Sequence, residues 1–302
     1  MNATHRLDGQ SIVVTGGAGG IGYFIAEGLA RRGARVILAA RSVQKARTAL
    51  SLLPDPSRHD AVILDLAAVD SICSAAARIN SLGAIDGLVM NAGIIGAPST
   101  RQPGPFGVES TVAVNVLAHM ELLRLVLPAL RRSPNARIVS TGSTLTKKIP
   151  FSLDNWLSDR SYQPRHAYAM SKHAAEILGF ELARRLNSAG ASIQSVVSHP
   201  GSAIDAVTPN RPPLHERPAA VRALAPVLAP VFSRIVQGKD VAAQPAITAI
   251  SADKLPPEAY IGPSRGATGE PAFTTPVATS TDPVLGRVLW NNVEAILEAP
   301  IL

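Results

Sequence analysis

Residues 11–22 read Ser-Ile-Val-Val-Thr-Gly-Gly-Ala-Gly-Gly-Ile-Gly, and this stretch decides the fold. Its first five residues form a short, β-branched and apolar run that predicts a buried strand, whereas the apolar spacing of residues 21–32 predicts a helix. The glycines between them allow the tight backbone turn that joins the two elements. A strand, a glycine turn and a helix in this order predict the first strand–helix unit of an α/β protein.

The same alternation of short apolar runs and longer helical patterns continues to about residue 200. Each run is too short for a helix and too continuously apolar for a strand with one wet face, which indicates parallel strands buried on both faces. We therefore predict a Rossmann-like, doubly wound α/β domain with a central parallel sheet flanked by helices. The predicted strands are 11–15, 35–40, 61–64, 87–90, 137–141 and 192–198, and the predicted helices are 21–32, 42–52, 69–82, 107–132 and 167–187.

From residue 201 onward the alternation stops. Residues 202–238 are rich in Pro and Ala, and the run Pro-Asn-Arg-Pro-Pro at 209–213 is incompatible with regular structure. Further helices are predicted at 218–237, 241–251 and 283–297, with a short strand at 260–262. We expect one domain over 1–302 with an elaborated C-terminal region.

Composition excludes several classes of protein. The 46% hydrophobic and 17% charged residues are typical of a globular chain, and the single Cys73 excludes an intramolecular disulfide and fits the reducing cytoplasm. Neither a secretory signal nor an apolar run of about 18 residues is found, so we expect no membrane span. The net charge of +7 is scattered in basic pairs without interleaved aromatics, so nucleic-acid binding is not expected. Metal-ligand spacing is not found either, and no metal is expected.

The glycine turn is a signal for dinucleotide binding, because it lets the backbone approach a pyrophosphate at the free N–H groups of a helix start. Gly16, Gly20, Ile21 and Gly22 are the predicted contacts. Arg41 follows the second strand, where an acidic residue would favour NAD. Its guanidinium suits the 2′-phosphate, so NADP (NADPH) is favoured over NAD, which stays possible if Arg41 only covers an exposed edge.

Tyr168 and Lys172 lie four residues apart on a predicted helix, so the phenol and the ammonium can address one substrate. A nearby cation favours the ionised phenol, whose pKa is otherwise about 10. Alone, such a pair is usually structural. Its meaning depends on the other motifs.

Together these motifs resemble the short-chain dehydrogenase/reductase family over most of the chain. Thr15, Gly16, Gly20 and Gly22 match its glycine pattern, Asp65 and Leu66 its adenine-pocket segment, Asn91, Ala92 and Gly93 its Asn-Ala-Gly motif, and Asn115, Ser143, Tyr168 and Lys172 its catalytic tetrad. Residues 137–139, 199–201, 260–263 and 289–290 are similar to the retinol dehydrogenase-like branch.

The resemblance implies a role for each residue. Tyr168 would be the general acid or base, Ser143 would bind the reacting oxygen with Thr141 as the less favoured alternative, Lys172 would bind the nicotinamide ribose, and Asn115 would hold a water. Asn91, Ala92, Gly93, Pro200 and Gly201 would contact the cofactor. The core would span about 7–201, and 202–302 would form a substrate lid and extension.

The apolar composition of the lid favours a lipophilic aldehyde, ketone or secondary alcohol as substrate, and the family implies a homodimer or homotetramer. Three residues depart from the family pattern, namely Met90, Gly142 in place of a serine, and Asp205 in place of a threonine that contacts nicotinamide. The alternative function is a non-catalytic NADP-binding sensor or scaffold of the same fold.

Overall fold

The computed structural model describes residues 5–214 and 236–302. Their strands form one sheet in the order β3-β2-β1-β4-β5-β6-β7-β8, in which β1 to β7 run parallel and β8 pairs antiparallel with β7. The strands are β1 Ser11–Thr15, β2 Arg35–Ala40, β3 Asp60–Ile63, β4 Gly87–Met90, β5 Arg137–Thr141, β6 Gln194–Ser198, β7 Tyr260–Pro263 and β8 Pro271–Phe273. The prediction of a central, mainly parallel sheet is confirmed.

Helices cover both faces of this sheet. They are α1 Gly20–Ala30, α2 Val43–Leu52, α3 Val69–Ser81, α4 Ser110–Arg131, α5 Pro164–Ser188, α6 Lys239–Ala242, α7 Gln244–Ser251, α8 Ala278–Thr281 and α9 Pro283–Leu297. Along β1, Val13 packs into the core that includes α3, α4, α5 and α9, whereas Ile12 and Val14 pack into the core that includes α1, α2 and α7. All three side chains are fully buried. The side chains of this apolar run therefore pack into a core on each face of the sheet, as a doubly wound sheet requires.

Helix boundaries differ from the prediction where a proline, a glycine or a capping side chain sets the first or last residue of the helix. The helix predicted from 107 begins at Ser110, because Phe106 and Gly107 have positive φ angles and Glu109 caps the main-chain N–H groups of the first turn. The helix predicted over 241–251 is two pieces, with Pro245 in the first turn of the second piece. The helix predicted at 218–237 lies almost wholly outside the described residues, as does most of the expected lid.

Helix α4 is the one described helix that is long and apolar enough to cross a membrane by length and composition. Of its most apolar window, 78% is buried inside the protein. It contains a π-helical turn at Ala113–Leu117, which carries Asn115. Burial of this kind is typical of a core helix, and α4 packs between α3 and α5.

The carboxyl ends of the parallel strands meet at one edge of the sheet. The chain reverses its order of strands between β1 and β4, and ligands of open α/β sheets bind outside the strand ends at such a point. The glycine turn follows β1, Arg41 follows β2, and Asn91 follows β4. Ser143 and Pro200 lie just beyond β5 and β6. The fold thus brings the predicted site residues to a single edge.

Candidate active site

The turn between β1 and α1 has the shape of a diphosphate cradle. Gly16 and Gly20 have φ angles of +69° and +55°, which side chains rarely adopt. A Cβ on Gly22 would stand 2.3 Å from the main-chain oxygen of Gly16, so the helix start packs directly on the turn. No side chain caps α1 and no acidic residue lies in its first turn. Its N–H groups and its dipole are therefore available to an anion.

A hydrogen-bond network joins this turn to the loop after β4. The Thr15 hydroxyl oxygen accepts hydrogen bonds from the main-chain N–H groups of Asn91, at 2.9 Å, and Ala92, at 3.0 Å. The Asn91 side-chain amide donates to the Thr15 carbonyl at 2.9 Å. Position 93 favours glycine, because a Cβ there would lie 2.8 Å from Oδ1 of Asn115. The Asn-Ala-Gly motif is thus bound to both the glycine turn and α4.

His119 is a member of this network that the sequence reasoning missed. Its Nε2 lies 3.0 Å from the Thr15 hydroxyl and its Nδ1 lies 3.3 Å from the Asn115 carbonyl oxygen. Because a carbonyl only accepts, Nδ1 carries the hydrogen and Nε2 accepts from Thr15. Burial lowers the pKa of His119 to about 4, so the ring is neutral. The available signal was its position one helical turn after Asn115.

The ends of β2 and β3 provide the expected adenosine-binding side. Arg41 is exposed directly after β2. Asp65 follows β3, where its carboxylate accepts from the N–H of Ala67 at 3.0 Å and its own N–H donates to Ser71 at 2.9 Å. Leu66 is buried beside it. Since β2 and β3 are neighbours, these residues lie on the same edge.

The four residues of the predicted tetrad also come together. The Ser143 side chain lies close enough to the Tyr168 hydroxyl to lower the pKa of the phenol. The Lys172 ammonium is buried and donates to the Thr141 carbonyl oxygen at 3.0 Å. The Asn115 side-chain amide donates to the hydroxyl of Ser171 at 2.9 Å, and its Oδ1 accepts from the N–H of Ile94 at 2.7 Å. The arrangement places a proton donor, a hydroxyl and a cation around one space.

The pKa of Tyr168 differs from the prediction that the nearby Lys172 ammonium favours the ionised phenol. Burial raises the pKa of Tyr168, and the Ser143 side chain offsets that rise only in part. Burial also lowers the pKa of Lys172 to about 8. The ammonium donates to Thr141, and the expected lowering of the phenol pKa by this cation is not found. The phenol is therefore held in its acid form.

The surroundings of the two hydroxyl groups favour Ser143 over Thr141. Ser143 is the residue whose side chain lowers the pKa of Tyr168, and its hydroxyl accepts from the N–H of Leu145 at 3.2 Å. The Thr141 hydroxyl is buried and has no hydrogen-bond partner among the described residues. Ser143 is thus better placed than Thr141 for the predicted role, which stays a prediction.

Glu176 is a second residue that the sequence reasoning missed. It is fully buried, one helical turn beyond Lys172, and its Oε1 accepts from the Ser143 main-chain N–H at 3.2 Å. A Cβ on Gly142 would stand 2.2 Å from the same oxygen. The glycine that departs from the family's serine pair is therefore required by the carboxylate behind it. The available signal was the i, i+4, i+8 spacing of Tyr168, Lys172 and Glu176.

The unusual Asp205 does not face the cofactor side as a lone anion. Its carboxylate forms an ion pair with Lys239 at the start of α6. Lys239 in turn lines a small cavity with Gly19 and Gly20 of the diphosphate cradle. The aspartate thus brings a cation to the glycine turn.

Pro200 and Gly201 are fixed by contacts with the C-terminal region. The Gln237 side-chain amide donates to the Pro200 carbonyl oxygen at 2.7 Å. Gly201 has a φ angle of +70°, and a Cβ there would stand 2.3 Å from the main-chain oxygen of Ala267. The loop after β6 is therefore held against the turn that joins β7 and β8.

Comparisons with known proteins agree with this geometry. A model of the short chain dehydrogenase family matches residues 10–209. Human retinol dehydrogenase 13 is 32% identical over 255 residues, which cover 82% of this chain and 74% of the relative. The chain spans only 62–65% of the length of four other relatives, which are human retinol dehydrogenase 11 and bovine, mouse and human retinol dehydrogenase 12.

Solved structures also superpose on this chain over most of its length. A protein of Mycobacterium paratuberculosis superposes with a TM-score of 0.78 at 26% identity, over 99% of this chain and 97% of that chain. The Pseudomonas aeruginosa RhlG/NADP active-site complex superposes with a TM-score of 0.64 at 25% identity, over 88% and 99%.

The chain therefore belongs to the short-chain dehydrogenase family, in its retinol dehydrogenase-like branch. It is an NAD(P)-dependent oxidoreductase that acts on CH–OH groups.

Proposed function

We propose that the protein uses NADPH and NADP to interconvert a lipophilic aldehyde or ketone and its alcohol. The observation that carries this proposal is that Ser143 lies close enough to the Tyr168 phenol to lower its pKa, beside the buried Lys172 ammonium. In that geometry one carbonyl oxygen can accept from both hydroxyls at once.

The residues present fit a dinucleotide, since the glycine turn leaves open space where a diphosphate would lie. Among the described atoms, nothing lies within 4 Å of a Cβ placed on Gly19 or Gly20. The nicotinamide, when bound, supplies or accepts the hydride. Gly16, Gly20, Ile21 and Gly22 would hold the diphosphate, and Asp65, Leu66, Asn91, Ala92, Gly93, Pro200 and Gly201 would line the rest of the site.

Proton transfer falls to this chain's own side chains. During reduction Tyr168 donates its proton to the carbonyl oxygen while Ser143 donates a hydrogen bond to the same oxygen. In the reverse direction the phenolate takes the proton of the alcohol. The raised pKa of Tyr168 keeps the phenol protonated, which is the form that reduction requires. Lys172 would bind the nicotinamide ribose, and Asn115 would hold a water that leads protons toward solvent.

Arg41 supports the choice of NADP. It is exposed at the end of β2, where no carboxylate stands to bind a ribose hydroxyl pair. The RhlG complex, whose partner is NADP, has the same fold. A guanidinium binds phosphate through two parallel hydrogen bonds and would select the 2′-phosphate.

Arg41→Ala is expected to weaken NADPH binding by roughly 10- to 100-fold, because a hydrogen bond to a charged group contributes about 1.5–3 kcal/mol. NADH binding should stay within about twofold, since NADH has no 2′-phosphate. Nicotinamide fluorescence titration measures both affinities.

The matched control for that experiment is Arg47→Ala, which removes an exposed arginine from α2. It should leave the ratio of the two affinities unchanged. Equal losses for NADPH and NADH in Arg41→Ala, or a wild-type preference for NADH, would contradict the proposal.

The lipophilic substrate is supported by composition and by relatives. The expected lid over 202–238 is rich in Ala, Leu, Val and Pro. Relatives include proteins named retinol dehydrogenase and polyprenol dehydrogenase. A matched series of aldehydes and ketones with increasing alkyl length should show kcat/KM rising with chain length. Better turnover of small charged ketones would contradict this part of the proposal.

A further inference from the structure

Glu176 is a buried titratable group that the reaction described above does not use. Its carboxylate lies inside the protein with an exposed fraction of 0%. Burial raises its pKa to about 7, although four hydrogen-bond donors act in the opposite direction. A carboxylate that costs this much to bury is normally compensated by contacts.

Those contacts tie three parts of the chain together. Oε1 accepts from the main-chain N–H of Ser143 at 3.2 Å and from the Tyr260 hydroxyl at 3.0 Å. The Thr146 hydroxyl lies 3.4 Å from the same oxygen. Oε2 accepts from the Ser280 hydroxyl at 2.8 Å. The loop after β5, strand β7 and helix α8 therefore all meet at this side chain.

The Glu176 carboxylate also affects the pKa of Lys172. The two residues are four positions apart on α5, which places their side chains on one face. The negative charge of Glu176 raises the pKa of Lys172, in opposition to the larger effect of burial. Lys172 donates to a carbonyl oxygen of β5 and is buried, so the nearby anion is what favours its charged form.

Besides Tyr168, four other titratable groups face this region. One is His119, whose pKa is lowered to about 4 by burial and, to a smaller extent, by the charge of Lys172. Tyr260 donates to the carboxylate, and burial together with Glu176 raises its pKa, so it remains protonated. His199 stacks on Tyr260 with ring centroids 5.2 Å apart, and burial lowers its pKa to about 4. The charge of Lys147 lowers the pKa of His199 further. Glu176 and Lys172 are therefore the two groups here that change charge near neutral pH.

We propose that Glu176 is a positioning residue for the reaction, which holds the main chain at Ser143 and places a carboxylate one helical turn from Lys172. This inference rests on the proposed function, because it assigns Glu176 to the site in which Ser143 and Lys172 work. The carboxylate fixes the geometry of the loop at Ser143, and its negative charge favours the charged form of Lys172.

The decisive variant is Glu176→Gln, which keeps an oxygen to accept from Ser143 and removes the charge. The protonation of Lys172 is measured in the cofactor-free protein from the ¹³Cε shift of labelled lysine, assigned with Lys172→Ala. Loss of the anion should lower the midpoint of the Lys172 titration by about one pH unit. An unchanged midpoint would overturn the electrostatic half of the proposal.

The matched control is Glu181→Gln on the same helix. Glu181 is also buried, yet its carboxylate pairs with Arg184 and Arg185 and contacts none of the tetrad. It should leave the Lys172 midpoint unchanged. An equal shift in both variants would mean that any loss of charge on α5 has this effect, which would also overturn the proposal.

Geometry at Ser143 is tested by hydrogen exchange. Glu176→Ala removes the acceptor of the Ser143 N–H, so the peptide that carries Ser143 should exchange at least about tenfold faster than in wild type and in Glu176→Gln. Equal exchange in all three proteins would contradict the positioning of Ser143.

The pH dependence of turnover tests the same effect on Lys172 by kinetics. Above pH 7 the wild-type carboxylate is anionic, so Glu176→Gln should move the high-pH fall of carbonyl reduction to lower pH, with little change in KM. A uniform loss at every pH would indicate packing alone and would contradict the proposal. Absent NADPH binding or absent turnover in wild type would instead refute the proposed function, since the titration and the exchange use the cofactor-free protein.

Discussion

Replacement of Tyr168 by Phe is expected to lower kcat by about 10²–10⁴-fold, the usual contribution of a general acid or base. The phenol hydroxyl beside Ser143 is lost, whereas the ring and the helix that carries it remain. NADPH affinity should stay within about twofold, because the other predicted cofactor contacts are unchanged. Steady-state turnover and nicotinamide fluorescence measure the two effects separately.

Tyr162→Phe is the matched control for Tyr168→Phe. The Tyr162 hydroxyl donates to the Pro98 carbonyl oxygen at 2.6 Å, in the loops next to the site. Turnover in this variant should remain within about threefold of wild type. Full activity of Tyr168→Phe would remove the phenol from the mechanism. If wild type binds NADPH but reduces no carbonyl compound, the alternative of a sensor or scaffold would be favoured.

Gly22→Ala is expected to abolish measurable NADPH binding and to lower Tm by a few degrees. The new Cβ would stand 2.3 Å from the Gly16 carbonyl oxygen and 2.6 Å from the Asn91 side-chain amide. Overpacking of this kind costs about 1–3 kcal/mol, and the backbone of the turn cannot move aside without losing its shape. Fluorescence titration and thermal unfolding are the two measurements.

Gly19→Ala provides the comparison for Gly22→Ala, three residues earlier in the same turn. Gly19 has extended backbone, with φ at 178°, and nothing among the described atoms lies within 4 Å of an added Cβ. Both Tm and NADPH affinity should therefore remain close to wild type. Equal damage by the two variants would show that the turn tolerates no side chain anywhere, against the packing argument.

Much of the fold could be predicted from local sequence patterns. Continuous apolar runs predicted the strands because a parallel sheet buries both faces of each strand, as β1 illustrates with Val13 on one side and Val14 on the other. Strand β8 was missed, since a run of three residues carries no usable periodicity. The start of α4 was missed because Glu109 caps it through its side chain.

The candidate site was predictable where its residues lie in short motifs at strand ends. Glu176 was not, because its partners Tyr260 and Ser280 are 84 and 104 residues away in the chain. Lys239 was missed for the same reason, since its pairing with Asp205 depends on the packing of α6. The sign of the Tyr168 pKa change also depends on burial, which spacing along a helix does not reveal.

Gly142 and Glu176 constrain each other's evolution and redesign. A serine at 142 would restore the pair typical of the family, yet its Cβ would collide with the carboxylate 2.2 Å away. A smaller residue at 176 would relieve that collision but would leave the donors of Ser143 and Ser280 without an acceptor. Neither position can change first without loss, so variation at one is conditional on the other and the two form an epistatic pair. Libraries that vary this active site should mutate both codons together.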